Sequence, residues 1–277
     1  MRKFSVVTTF NNTGYQRYAS RMIDTFIANW PVSVNLHVYA EGTDVVQKAK
    51  NLHVYDCNTY LPALVKFKEK WQNDPRATGK LANGTVDRRG KQNGIGFKWD
   101  AVRFSHKVYA VCNLARFTDD DVVIWMDADT VCHSPIPLDF IESQFPVGTD
   151  IAFFGREKKY TECGLYALNV QSQITQYFVE LFQWNYDYAE KGIFTMAEWH
   201  DSWVFDQVRE KIARQFPNWK QLNWSTGIIT GEGHPLINSP WGAYLDHLKG
   251  DDRKDQGKSK ASDLKVSRNE SYWRGVS

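Results

Sequence analysis

Short apolar runs separated by stretches of helical period fill most of the chain. Residues 4–10 read as a first strand, and Asn11-Asn12-Thr13-Gly14 supplies the turn after it. Tyr18, Met22, Phe26 and Trp30 then recur at helical spacing up to Pro31. Residues 34–40 alternate as a second strand, and 52–56 make a third. Strand, helix and strand at this spacing form a βαβ unit, which implies a right-handed crossover and a parallel sheet. Helical patterns follow at 61–73 and 99–117, with a Gly-, Asn- and Arg-rich loop over 74–96 between them. Beyond 122–126 come Pro135 and Pro137, strands at 150–155 and 165–170, and helices at about 172–191 and 196–215. A Gly- and Pro-punctuated stretch, 231–241, leads into a helix expected to carry His247. Residues 257–277 are polar and read as a mobile tail that orders over substrate. The pattern predicts an α/β fold with a mostly parallel sheet flanked by helices. It is organised as one domain, 1–250, and a polar, basic tail, 251–277.

The organising stretch is Val122-Val123-Ile124-Trp125-Met126-Asp127-Ala128-Asp129. Five apolar residues in a row read as a strand buried on both faces. If the backbone stays extended past Met126, Asp127 and Asp129 point to one side and converge. Converging carboxylates repel unless a cation lies between them. A hard divalent ion that takes oxygen ligands, Mn²⁺ or Mg²⁺, is the natural occupant, and it can also hold phosphates. The alternative is a turn that simply ends in aspartates. In open parallel sheets ligands bind beyond the carboxyl ends of the strands, where the loop after the first strand also lies.

Strand-Asp-Ala-Asp resembles the DxD motif of GT-A glycosyltransferases, in which carboxylates hold a metal against the diphosphate of a nucleotide sugar. About 120 residues downstream, His247-Leu248-Lys249-Gly250-Asp251-Asp252-Arg253-Lys254 is similar to the His-x-x-Gly-x-x-Lys segment of glycosyltransferase family 8. The resemblance implies a GT-A, Rossmann-like fold, with Asp127, Asp129 and His247 as metal ligands. It also implies that Asp127, Gly250 and the basic pair Arg253 and Lys254 contact the diphosphate. Arg253 stands at the family's lysine position, which keeps the charge. His234 is a competing ligand that lacks the Gly and basic residue after it. By the same resemblance Thr9, Phe10, Asn11 and Tyr15 receive the nucleoside, although Tyr15 fits helix-start packing equally well. Arg103 falls where family 8 places an arginine near the donor sugar, and a surface arginine is the competing reading. Glu162-Cys163-Gly164 occupies the position of the family's acceptor-side Asn-Ala-Gly turn. Trp199-His200-Asp201 resembles the Trp-His-Asp-Glu segment of family 6, with Ser202 in the glutamate position. Asp201 is therefore the leading candidate for a carboxylate at the reacting sugar, followed by Glu162 and Glu232.

Composition refines this picture only in part. A net charge of +2 conceals eight Lys/Arg against two Asp over 76–107, and eight against five acids from Lys249 onward. Such basic stretches attract phosphates of a nucleotide, a nucleic acid or an anionic lipid. The 11 tryptophans suit stacking surfaces or core packing. No run approaches the ~20 apolar residues of a membrane span, and the chain passes directly from Met1 into a strand pattern, so no signal peptide is expected. Four cysteines without CxxC spacing read as reduced thiols. These features together predict a cytoplasmic protein, in the host cytoplasm if it is phage-encoded.

The sequence thus predicts a metal-dependent glycosyltransferase whose donor, by resemblance, is a UDP-sugar and whose mechanism retains configuration. The leading acceptor is a hydroxymethylated pyrimidine in phage DNA, which would need base flipping and basic contacts. A saccharide or lipid-linked glycan is the alternative acceptor. Rival classes are a sugar-nucleotide nucleotidyltransferase and a non-catalytic nucleotide-sugar-binding module. The first would need a glycine-rich phosphate loop with Arg and Lys after the first strand, which Asn11-Asn12-Thr13-Gly14-Tyr15 is not. The oligomeric state is left open.

Overall fold

The computed structural model describes residues 2–80, 96–228 and 234–274. The chain runs β1 (Phe4–Asn11), α1 (Ser20–Asn29), β2 (Asn35–Glu41), β3 (Leu52–Asp56), α2 (Pro62–Trp71) and α3 (Ala101–Phe117). It continues with β4 (Val122–Met126), β5 (Thr130–Cys132), α4 (Leu138–Gln144), β6 (Ile151–Arg156), β7 (Lys159–Asn169) and α5 (Gln173–Asp187). The last elements are α6 (Asp201–Gln215), β8 (Gln221–Asn223), β9 (Leu245–His247) and α7 (Asp251–Gln256), with short helical turns between them.

Seven strands form one sheet in the order β3-β2-β1-β4-β7-β6-β8, and β5 and β9 form a separate pair. Within the large sheet only β7 runs against its neighbours. The other pairings, β1 with β2 and β4, β2 with β3, and β6 with β8, are parallel. The fold is therefore mixed α/β with a mostly parallel sheet, as the pattern predicts.

The apolar run of β4 is buried along its whole length. Val123 and Trp125 point into one core layer with Tyr166, Phe178 and Phe205, beneath α3, α5 and α6. Val122, Ile124 and Met126 point into the other, with Phe26, Trp30 and Trp241. Full burial of a side chain of this size is worth about 1.5–3 kcal/mol, so register at β4 is strongly fixed.

Several local readings change. The two aspartates do not extend the strand. Asp127-Ala128-Asp129 is a turn closed by the Thr130 N–H donating to the Asp127 carbonyl at 3.0 Å. His247 lies on strand β9, not on a helix, because Leu245–His247 pairs antiparallel with Thr130–Cys132. Glu162-Cys163-Gly164 is likewise strand, inside β7, and not a turn. The helix expected over 196–215 starts at Asp201, because His200 is extended and its ring nitrogen caps the helix by accepting from the Trp203 N–H. The segment read as mobile from 257 packs against the body as far as it is described: Trp273 is buried and donates from its indole N–H to the Gly242 carbonyl at 2.8 Å. The centre of the basic loop, with Arg88, Arg89 and Lys91, lies outside the described residues, as does Glu232.

Candidate metal centre and substrate clefts

The turn after β4 lies beside the β5–β9 pair, and that pairing sets Thr130 opposite His247. A second strut is the Leu248 N–H, which donates to the Asp129 carbonyl at 2.9 Å. The His247 Nε2 thus stands 3.1 Å from an Asp129 oxygen and 3.5 Å from an Asp127 oxygen. One ligand atom from each of Asp127, Asp129 and His247 can be chosen so that all lie within 4.8 Å of one another. Two carboxylates and an imidazole form a donor set that suits Mn²⁺ or Mg²⁺, so these residues fit a divalent ion. The resemblance-based trio is therefore brought together, although by a turn and a strand pair in place of an extended strand and a helix.

Glycine at 164 is a packing requirement of this site. A Cβ there would sit 2.5 Å from the His247 Nδ1 and 2.9 Å from a Glu162 oxygen. Burial alone would raise the Asp129 pKa, but His247 and Lys254 outweigh it and hold the carboxyl below its usual range. His247 shows the converse: burial would lower it, and Asp129 keeps it raised.

Lysines surround the carboxylates, and sequence reasoning singled out only one of them. The Lys107 ammonium lies 2.8 Å from Asp127 and 2.7 Å from Asp201, and it donates to the Cys163 carbonyl at 2.8 Å. Burial works against its charge, yet the two aspartates outweigh that and raise its pKa. The available signal was its spacing, one helical turn after Arg103 on α3. Lys254 bridges to the second Asp129 oxygen at 2.8 Å. Lys249 contacts Glu162, whose other oxygen faces the His247 Nδ1 at 3.7 Å. Burial and the like charge of Arg156 push the Lys249 ammonium down. The Glu162 contact, and the third of the side chain left exposed, work against that push.

Two clefts meet at this cluster. One, of about 360 Å³, is lined by Thr9, Phe10, Asn11, Tyr18, Arg103 and Lys254 together with both aspartates. The other, of about 300 Å³, is lined by Phe97, Tyr160, Glu162, Asp201, His247 and Lys249, again with both aspartates. Lys107 and Phe104 belong to both walls. A larger open groove of about 890 Å³, lined by Asn12, Thr43 and Lys48, holds none of the three metal-ligand candidates.

The remaining sequence-based candidates divide. Thr9, Phe10, Asn11, Arg103, Lys254, Gly250, Glu162 and Asp201 all reach one cleft or the other. Tyr15 does not: it is buried, stacks on Phe10 and donates its hydroxyl to Gln47, which is the packing reading. The Asn11 side chain accepts from the Gly14 N–H and caps the following turn. Arg253 is committed to Asp263 and to the Lys249 carbonyl, so of this basic pair it is Lys254 that reaches Asp129. The group of ligand atoms within 4.8 Å of one another among the described residues comprises Asp127, Asp129 and His247 and not His234, whose Nε2–H donates to the His247 backbone carbonyl at 2.7 Å. Trp199 is core, packed on Phe194, and the rings facing the second cleft are Phe97, Phe104 and Tyr160 around His200.

No protein-family profile matches the sequence, and no curated protein matches it either. Solved structures that it resembles include mouse xyloside xylosyltransferase 1 in its apo form, with a TM-score of 0.44 at 12% identity over 79% of this chain and 84% of that one. The glycosyltransferase GlyE of Streptococcus pneumoniae TIGR4 gives 0.43 at 12% identity over 82% of this chain and 47% of that one. The apo bifunctional glycosyltransferase WbbM gives 0.41 at 12% identity, over 81% and 39%. This chain thus spans less than half the length of the last two. No described helix is long and apolar enough to cross a membrane.

Proposed function

We propose that this chain is a metal-dependent glycosyltransferase that moves a sugar from a nucleotide sugar to a hydroxyl acceptor. The observation that carries the reading is the Asp127, Asp129 and His247 cluster standing where two clefts meet, past the carboxyl end of β4. A transferase needs two substrates to approach one charged centre from opposite sides, and a plain acidic turn does not.

In this reading the first cleft takes the nucleotide sugar, the nucleoside lying toward Thr9, Phe10 and Asn11. Asp127, Asp129 and His247 hold a divalent ion, which when bound supplies electrostatic stabilisation to the departing diphosphate. Lys254, over Asp129, adds a cation on the same side. Lys107, which lines both clefts, pairs with Asp201 on the second, and in this reading Asp201 is the carboxylate that faces the reacting sugar. Glu162 also lines the second cleft, beside His247, and in this reading serves the acceptor side. The UDP donor and the retaining course follow from the family 6 and family 8 resemblances. The test is a donor screen for sugar-nucleotide hydrolysis with Mn²⁺. Hydrolysis should vanish with EDTA and in Asp129→Asn, and turnover that survives both would remove the metal from the mechanism.

For the acceptor we infer hydroxymethylated DNA, supported by the rings of Phe97, Phe104 and Tyr160 lining the second cleft beside Arg156 and Lys249. Bases stack on rings of this kind and phosphates pair with such cations. A glycan also packs on aromatic faces but brings few charges. Binding to hydroxymethylated DNA at two salt concentrations separates the two. Each phosphate contact adds about 0.9 to the slope of log K against log salt, and Arg88→Ala, Arg89→Ala and Lys91→Ala together should flatten it. Salt-insensitive binding would leave the glycan as acceptor.

A further inference from the structure

The segment from Lys249 onward leaves the metal-ligand cluster, makes α7 and returns along residues 258–274. Its return is held at several points, among them Asn238 with Asp263 and Lys265, Arg268 with the Ile237 carbonyl and Trp273 with the Gly242 carbonyl, and three further bonds converge on one residue beside the cluster. Asp246, fully buried next to His247, accepts from the Ser259 N–H at 2.8 Å, from the Ser259 hydroxyl at 2.5 Å and from the Tyr272 hydroxyl at 2.8 Å. All three donors come from the returning segment. Tyr272 is itself held flat on His133, with ring centroids 4.0 Å apart, just beyond the strand that pairs with β9. A buried carboxylate without donors is strongly disfavoured, so these bonds tie the returning segment to β9.

We propose that Asp246 is a positioning residue, a clasp that sets both the His247 ligand and the Lys254 ammonium. β9 is three residues long, and its outward neighbours on either side are loop. Side chains on so short a strand take their orientation from whatever pins the adjacent residue. Asp246 and His247 point to opposite faces of β9, so the clasp grips one face and presents the imidazole on the other. Lys254 rides on α7, within the loop that the clasp closes, and Arg17 braces α7 from outside through Asp251 and Asp255. Asp246 hydrogen-bonds to Ser259 and Tyr272 and acts on His247 through the backbone of β9. Loss of a group bonded directly to a metal ligand typically weakens metal binding about 10- to 100-fold, and the lower figure is the one expected here.

This inference rests on the metal reading above, and the experiment keeps the two apart. Mn²⁺ binding is titrated by electron paramagnetic resonance in the full chain and in Tyr272→Phe, Ser259→Ala and Asp246→Asn, without any donor. Tyr272→Phe removes one oxygen and keeps the ring on His133, so it tests the clasp even where Asp246→Asn fails to fold. The expected result is Mn²⁺ affinity lower by about 10-fold in Tyr272→Phe, with unchanged far-ultraviolet circular dichroism and faster proteolysis at lysines between 254 and 265. A parent chain that binds Mn²⁺ beside variants that bind it equally well overturns the clasp alone. A parent chain that binds none overturns both the clasp and the metal centre.

Discussion

Replacing Lys107 by methionine probes whether the cluster is a balanced set of buried charges. The methionine keeps most of the apolar stem against Trp125, over whose ring the ammonium stands 5.0 Å from the centroid, and removes the ammonium with its charge and its hydrogen bond to the Cys163 carbonyl. Asp201 is then left 5% exposed and Asp127 26% exposed, each without its lysine. Breaking a buried pair from one side costs about 3–5 kcal/mol, and the partial exposure of Asp127 places the loss near the lower end. Unfolding entropy of about 2.1 cal/mol/K per residue over 277 residues turns this into a fall in Tm of roughly 5–9 °C. The assay is thermal unfolding in EDTA, followed by circular dichroism. Adding Asp201→Asn removes the more deeply buried orphan charge, so the double variant should regain at least a third of the loss. A Lys107→Met protein that melts within about 1 °C of the parent, or a double variant no more stable than the single one, would refute the reasoning.

Gly164→Ala should lower Mn²⁺ affinity by about 10-fold or more while the fold persists, because its methyl displaces the His247 ring; unchanged binding in the same titration would contradict the packing geometry. Asp201→Asn should reduce turnover at least ~100-fold with donor affinity changed much less, and near-normal turnover would move the role to Glu162. Stability should fall in acid. Burial, then the neighbouring His53, push His37 down to about 4; burial puts His133 at about 4, and burial with His247 puts His234 at about 3. Each stays neutral in the fold but gains a proton in the unfolded chain below about pH 6.5, so its contribution is complete above that pH. It is lost at about 1.4 kcal/mol per pH unit per histidine as pH falls toward the folded values. Urea unfolding at pH 7, 6 and 5 checks this, and a flat or rising midpoint would contradict it.

Periodicity alone determined the α/β class, because a five-residue apolar run and a βαβ spacing have few other ways to bury their surface. The candidate trio Asp127, Asp129 and His247 was legible through its resemblance, since residue type survives where geometry cannot be read. What the sequence could not carry was direction. Whether Asp127 and Asp129 converge through an extended strand or a turn depends on the Gly164 carbonyl and on His247, residues distant in the chain. Of two adjacent basic residues, only the fold decides that Arg253 turns to Asp263 and Lys254 to Asp129. In the sequence Lys107 shows nothing beyond its spacing from Arg103, since its two aspartates come from a turn and a helix start that only the sheet brings to α3. Local pattern fixes which face of an element is buried, and long-range packing fixes which charges then meet.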